Sequence, residues 1–311
     1  MTTVLRRPIL WITERSAVQG LIQQTSLGQR VAGRFVAGDT LEDGMNAARE
    51  LHARGIAAML DHLGENVESP AQAAAAADGY IGALKRIREW PELDTNISVK
   101  LTQLGLDVSN DLCLENMERV LQVAAERDPP ILVMIDMEAS QYVDRTLDAY
   151  LALRDRFPAM GVCLQAYLHR TAGDAQRIGG PKAIVRMAKG AYLEPPEVAM
   201  RTRAEVRRSF ARVAATLLVG GGVVHLATHD EGLVAGAKRF VRTRSISRAR
   251  YEFQMLYGVR RDLQADLVAE GEPVRVYVPY GTQWYPYLTR RLAERPANVW
   301  FFLSNLLRRG G

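Results

Sequence analysis

Short apolar runs, several of them β-branched, alternate along this chain with longer amphipathic stretches. The runs are "IAAML" from Ile56, "ISVKL" from Ile97, "ILVMIDM" from Ile131, "GVCLQAYL" from Gly161, "IVRMAK" from Ile184, "VVHLAT" from Val223, "YEFQML" from Tyr251 and "VRVYVPY" from Val274. Each is short enough for a strand and apolar enough to be covered on both faces. Between them lie helix-like segments around 71–90, 110–127, 140–157, 172–180, 197–219, 231–239 and 260–270, with a last one from Trp284 to Glu294.

Eight strand runs, each followed by a helix, are what a (βα)8 TIM barrel requires, so the expected class is α/β. "LEDGMNAARELHARG" precedes the first run and reads as an extra helix, giving an expected N-terminal helical extension over 1–45 and a barrel domain over 46–311. A doubly wound nucleotide fold is the alternative. No G-x-G-x-x-G follows a strand run, however, and "VGGGVV" leads into a strand instead of a helix. The Ala-rich "SPAQAAAAADG" reads as helix, because Ala is the strongest helix former.

Composition narrows the class further. With 311 residues, 48% hydrophobic and 24% charged, the chain can bury one large core. The net charge is +5, and the signs read as mixed with no block of like charge, so a nucleic-acid footprint is not expected. Cys113 and Cys163 begin neither a metal motif nor a disulfide framework, which fits a reducing compartment. "ATLLVGGGVVHLA" falls short of the roughly 20 apolar residues of a membrane span. The start, "MTTVLRRPILWITERS", is broken by Thr13 and Glu14 and lacks a signal-peptide core. A cytoplasmic protein, attached at most to a membrane surface, is expected.

In such a barrel the C-terminal strand ends face the site. Those ends carry Asp61 and His62, Lys100, Asp136 and Glu138, Gln165 and Tyr167, Arg186 and Lys189, Thr228 and His229, Gln254, and Tyr277. Lys100 can pair with Asp136 on the next strand. Asp136 and Glu138 share a side if their strand continues and are separated if it turns. A glycosidase needs two acids about a sugar bond, but the surrounding Lys, Arg and His argue for an anionic ligand. Asp61, His62, His229 and Asp230 admit a metal reading without a ligand-spacing signature. His225, inside an alternating strand, reads as packed or as a support behind the site, Cys163 reads as core, and Met134, Met137 and Met187 read as core fillers or as the wall for a flat ring.

"VRMAKGAYLEP" is more specific. Lys189 supplies charge, Gly190 permits close backbone approach and Ala191 leaves room, so a phosphate or electron-rich ring could be held there with Arg186. As a purely structural group, Arg186 would need a buried partner of its own. Near the end of the chain, Arg290 and Arg291 are adjacent, with Tyr287 and Glu294 one helical turn away. They form either a solvated face or a clamp for an anion.

The motifs "DHLGENV", "ISVKLTQLG", "IDMEAS", "LQAYL", "RMAKGAY", "ATHD", "YEFQMLYG", "YVPYG" and "YLTRRLAE", from Asp61 to Glu294, resemble the proline dehydrogenase family. The resemblance implies a distorted (βα)8 barrel with its last helix over the C-terminal face. It also implies non-covalent FAD and oxidation of L-proline to Δ1-pyrroline-5-carboxylate by hydride transfer from C5 to flavin N5. By family pattern Arg290 and Arg291 clamp the proline carboxylate, Lys100 and Glu294 neighbour them, and Tyr277 and Tyr287 enclose the ring. Asp136 resembles the family's active-site acid and Arg186 the arginine beside flavin N5. Met137, Gln165, Lys189, Gly190, Ala191, Thr228 and His229 are the other expected FAD contacts.

The resemblance further implies reoxidation by a membrane quinone and a monofunctional bacterial-type enzyme, with pyrroline-5-carboxylate dehydrogenase as an expected contact. The terminal "WFFLSNLLRRGG" reads equally as an interfacial element or a packed helix. The rival classes are a metal-dependent aldolase or hydrolase barrel and a non-enzymatic anion-binding barrel.

Overall fold

Helix α1, Leu41–His52, begins at a reciprocal cap. The Asp43 N–H donates to Thr40 Oγ1 at 3.2 Å, and the Thr40 N–H donates to Asp43 Oδ2 at 2.9 Å. The helix buries Met45, Ala48 and Leu51 and packs on strands β1 (Ala57–His62) and β8 (Val274–Tyr280). It runs across the boundary expected between residues 45 and 46. This computed structural model describes residues 32–294, with side chains through Thr289.

The remaining strands are β2 (Thr95–Val99), β3 (Val133–Ile135), β4 (Met160–Gln165), β5 (Ile184–Ala188), β6 (Val223–Ala227) and β7 (Tyr251–Leu256). Every neighbouring pair is parallel, and β8 returns to β1 from Ala57↔Arg275 to His62↔Tyr280, closing an eight-stranded barrel. The helices following the strands are α2 (Pro70–Arg88), α3 (Asn110–Ala125), α4 (Val143–Leu153), α5 (Thr171–Ile178), α6 (Arg203–Val219), α7 (Glu231–Thr243), α8 (Arg261–Ala269) and α9 (Trp284–Glu294).

Two of the differences from the sequence pattern have a plain cause or consequence. Helix α6 begins at Arg203, later than the expected 197, because Pro195 and Pro196 cannot continue a helical ladder and Thr202 with Glu205 provides the cap. Strand β3 stops at Ile135, so Asp136 and Glu138 lie in the following turn and diverge.

Most of the core lies between strands and helices, where Val99, Val133, Ile135, Val162, Val185 and Val276 are fully buried. Each such side chain is worth roughly 1.5–3 kcal/mol of transfer free energy. A smaller cluster gathers Ala32, Phe35, Val36, Leu63, Tyr287 and Leu288, with Val259, Tyr277 and Trp284 packed against it. Leu63 follows β1 and Val259 follows β7, so this cluster ties α9 to the C-terminal ends of those strands. No helix among the described residues is long and apolar enough to cross a membrane.

Candidate active site

The barrel interior is charged where branched apolar side chains would ordinarily fill it. Period-two alternation turns Glu252 and Gln254 of β7 inward with Arg275 and Tyr277 of β8, and the register sets Arg186 beside His225 and His225 beside Glu252. The resulting hydrogen-bond chain starts at Asp94, just before β2. Arg275 donates to Asp94 Oδ2 at 3.1 Å and to Glu252 Oε1 at 3.0 Å. The Gln254 amide donates to Glu252 at 2.6 Å and to His225 Nδ1 at 2.9 Å, which leaves its Oε1 to accept from Arg186 Nε at 2.8 Å. Burial lowers the His225 pKa to about 4, so the ring is neutral. Burial opposes the charge on Glu252, but Arg275 and then His225 hold its pKa down to about 2.

The chain ends at Asp136. Its Oδ1 accepts from Ser98 at 2.7 Å and from Arg186 Nη1, and its Oδ2 accepts from the Tyr277 hydroxyl at 2.7 Å and faces Lys100 Nζ at 3.4 Å. Lys100 sits closer to Asp61, at 2.6 Å, than to its expected partner Asp136. The Arg186 guanidinium also lies over the Tyr277 ring, 5.2 Å from its centroid.

Burial works against the ions here, and the partners decide the outcome. Arg186 and Lys100, with the Ser98 and Tyr277 hydroxyls, keep the Asp136 carboxyl below its ordinary range. Asp61, then Tyr277 and Asp136, hold Lys100 well above its own. Burial pushes Tyr277 well up, so its hydroxyl stays protonated and donates. Burial, with the nearby charge of Asp136, pushes the Asp61 carboxyl up against the pull of Lys100, so the two cations face two carboxyls held in opposite directions.

Loops beyond the strand ends complete the mouth. Gln165 ties two of them, its amide donating to the Glu138 carbonyl at 2.9 Å and its Oε1 accepting from the Ala191 N–H at 3.3 Å. Lys189 pairs with Asp230 at 2.8 Å while its side chain stays 40% exposed. Thr228 Oγ1 accepts from the Asp230 N–H at 3.2 Å, and His229 Nε2 accepts from the Leu256 N–H at 3.0 Å. Met137, just after β3, is buried. Glu138 turns away from Asp136 to Thr102, whose N–H donates at 3.2 Å and whose hydroxyl donates at 2.6 Å. Burial, against those two hydrogen bonds, raises its pKa to about 7.

The structure brings Asp136, Lys100, Arg186 and Tyr277 together, with Gln165, Lys189 and Ala191 around the adjoining loops. Arg186 has the buried partners that a structural role demands. Gly190 has φ +116°, and a side chain there would meet the Tyr167 ring at 2.1 Å, so the fold itself requires glycine at this position. The side chains of Arg290, Arg291 and Glu294 lie outside the described residues, while Tyr287 is buried in the cluster under α9. The residues of the metal reading are engaged elsewhere: Asp61 by Lys100, His62 by stacking on Tyr280 at 5.2 Å, and Asp230 by Lys189 and the N-terminus of α7. Ser98, Glu252 and Arg275 were missed as members of the network. The inward alternation in "ISVK", "YEFQ" and "VRVY" is the signal that exposes them.

Known proteins share this architecture. A family model described as proline dehydrogenase matches residues 44–303. The chain is 39% identical over 308 residues to a proline dehydrogenase of Deinococcus radiodurans, covering 97% of this chain and 98% of that protein. It is 37% identical over 308 residues to proline dehydrogenase 1 of Bacillus subtilis, covering 98% of this chain and 100% of that one. Among solved structures, proline utilization A from Bdellovibrio bacteriovorus matches with a TM-score of 0.79 at 22% identity. That match covers 86% of this chain and 33% of the longer protein, and it supports the barrel fold alone. The family model takes in every strand of the barrel and the Asp136 network, and the two relatives align over nearly their whole lengths, so this chain belongs to the proline dehydrogenase family.

Proposed function

We propose that this chain oxidises L-proline to Δ1-pyrroline-5-carboxylate, with non-covalent FAD as hydride acceptor and a membrane quinone as the final oxidant. The observation that carries the reading is the closed charge balance at the mouth. Lys100 and Arg186 are already answered by Asp61 and Asp136, so a substrate carboxylate needs cations of its own. Helix α9, with Arg290 and Arg291 one turn beyond Tyr287, starts from the apolar cluster at that mouth. Brought over the C-terminal face, it supplies them.

The donor set suits FAD. Lys189, half-exposed, offers a charge for a diphosphate, and Met137 offers apolar contact for a ring. Gln165 and the 190–191 backbone, with Thr228 and His229, line the adjoining edge. When bound, FAD would take the hydride from proline C5 at its N5, and the buried charge of Arg186 would favour electron density on the ring.

The chain's own residues position the reactant. A guanidinium pair can hold a carboxylate through parallel hydrogen bonds and so fix the ring, with Tyr277 and Tyr287 enclosing it. Asp136 already accepts from three donors, faces a fourth and has a lowered pKa, so it orients Lys100, Arg186 and Tyr277 instead of removing the amine proton. The protein works in the cytoplasm, in transient contact with the membrane face that holds the quinone.

The test is spectroscopic. The purified protein should carry an oxidised-flavin spectrum that bleaches with L-proline under anaerobic conditions, and acid precipitation should release the colour into the supernatant. A preparation that stays colourless after reconstitution with FAD, or a flavin that proline does not bleach, overturns the reading.

A further inference from the structure

The charge along this chain is unevenly placed, contrary to the expectation of mixed signs without a block of like charge. Residues 201–261 hold 13 Lys and Arg against 4 Asp and Glu, a net +9, so with +5 overall the rest of the chain sums to −4. These residues build α6, α7 and the segments after them. Part of the charge is answered internally, by Arg207 to Asp230 at 3.3 Å, Arg242 to Glu272 at 3.2 Å and Arg260 to Glu231 at 2.6 Å. Arg208, Arg212, Arg239 and Arg244 are exposed and form no ion pair among the described residues.

A second observation falls on the same element. Among the described residues the exposed large hydrophobics are Leu193, at 45%, and Val219, at 64%, and they bracket α6. At about 100° per residue, Arg208, Arg212 and Val219 share one stripe within about 40° on a helix roughly 25 Å long. Arginines combined with projecting aliphatic side chains match an interface of anionic headgroups over acyl chains. They match a nucleic acid less well, since the aromatic residues of these helices, Phe210 and Phe240, are buried or half-buried and offer no stacking platform.

We propose that the outer face of α6, with Arg239 and Arg244 beside it, docks this protein onto an anionic lipid bilayer. The proposal rests on the quinone-linked reading above and gives it a geometry. Leu193 belongs to the strap between β5 and α6, and the neighbouring Glu194 binds the Ser140 N–H at 2.7 Å and hydroxyl at 2.6 Å across the mouth. Helix α6 runs from the mouth back toward the start of β6, so docking along it lays the flank of the barrel on the bilayer, with the Leu193 strap at the edge of the mouth beside the surface.

The experiment is co-sedimentation of the FAD-loaded protein with vesicles of phosphatidylcholine alone or mixed with phosphatidylglycerol. Wild type should bind only the anionic vesicles and be released by salt. The triple variant Arg208→Glu, Arg212→Glu, Arg239→Glu should bind them at least about tenfold more weakly. Val219→Ser should weaken binding with no change in its salt dependence. Proline-dependent flavin bleaching, unchanged in every variant, shows that each is folded and loaded. Triple-variant binding equal to wild type overturns the proposal, as does a wild type that ignores anionic vesicles or binds DNA in their place. A water-soluble short-chain quinone separates the two readings. Its reduction without vesicle binding sinks the docking face alone, whereas arginine-dependent vesicle binding without quinone reduction supports the face and sinks the acceptor.

Discussion

Arg186 and Asp136 form a buried ion pair in which neither partner is exclusive, with side chains only 6% and 14% exposed. Arg186 reaches down to Gln254, and Asp136 gathers Ser98, Tyr277 and Lys100. The pair thus joins a network crossing the barrel to the groups at its mouth.

Removing the carboxylate should cost more than removing the pair. Asp136→Ala leaves Arg186 buried without its charge partner and Lys100 with Asp61 alone, and should lower unfolding stability by about 3–5 kcal/mol. In the double variant Asp136→Leu with Arg186→Met, no uncompensated guanidinium remains and much of that loss should return. Urea unfolding of the three proteins is the check, and a double variant as unstable as Asp136→Ala would contradict the account.

Two buried groups act on stability in opposite directions with pH. Glu138 has a folded pKa of about 7 against an ordinary 4.5, so its contribution is lost as pH rises through that window. His225 has a folded pKa of about 4 against 6.5, so its contribution is lost as pH falls through that window. Each slope approaches about 1.4 kcal/mol per pH unit, and where the windows overlap they largely cancel. Glu138→Gln removes one of them. Relative to wild type, its unfolding free energy should therefore rise as pH is raised from about 5 to 7. A difference curve that is flat, or falls, would show that Glu138 does not hold a proton in the fold.

The sequence made the architecture legible because a barrel repeats one unit. Eight apolar runs and the helices behind them need no long-range information, and the strands came out within a few residues of "IVRMA" or "VVHLA". Charged partners were harder to read. Lys100 could be placed at a mouth, but its choice of Asp61 depends on how β1 and β2 stand across the interior, which spacing does not encode. Gly190 shows the same limit, since a local motif announces the glycine without naming the Tyr167 ring that requires it. The positive excess over 201–261 can be counted from the sequence, but that its arginines share one side of the barrel follows only from the packing of α6 against α7.

Arg290 and Arg291 are assigned to the substrate carboxylate, and a substrate change tests that assignment more sharply than a mutation alone. Either Arg-to-Met change should raise KM for proline by the equivalent of roughly 2–5 kcal/mol. Wild type should discriminate strongly against L-prolinamide, and each variant much less. If both variants keep the wild-type preference, the two arginines are a solvated helix face and the carboxylate is held elsewhere.

Gln254 should govern Arg186 from outside the substrate pocket. Its amide donates to Glu252 and His225, which fixes its orientation and leaves Oε1 pointing at Arg186 Nε. Gln254→Leu keeps similar bulk and removes that acceptor, freeing the guanidinium to turn about Asp136. Proline-dependent flavin reduction should slow by about tenfold, close to 1.4 kcal/mol, with KM for proline little changed because the carboxylate clamp is untouched. A merely structural role would be consistent with some slowing, so the deciding measurement is the cycle with Arg186→Met. If Gln254 acts through Arg186, adding Gln254→Leu to Arg186→Met should slow reduction no further, and the flavin reduction potential of the two Arg186 variants should coincide. Additive losses in the double variant would give Gln254 an effect of its own and break the proposed line from the barrel interior to the mouth.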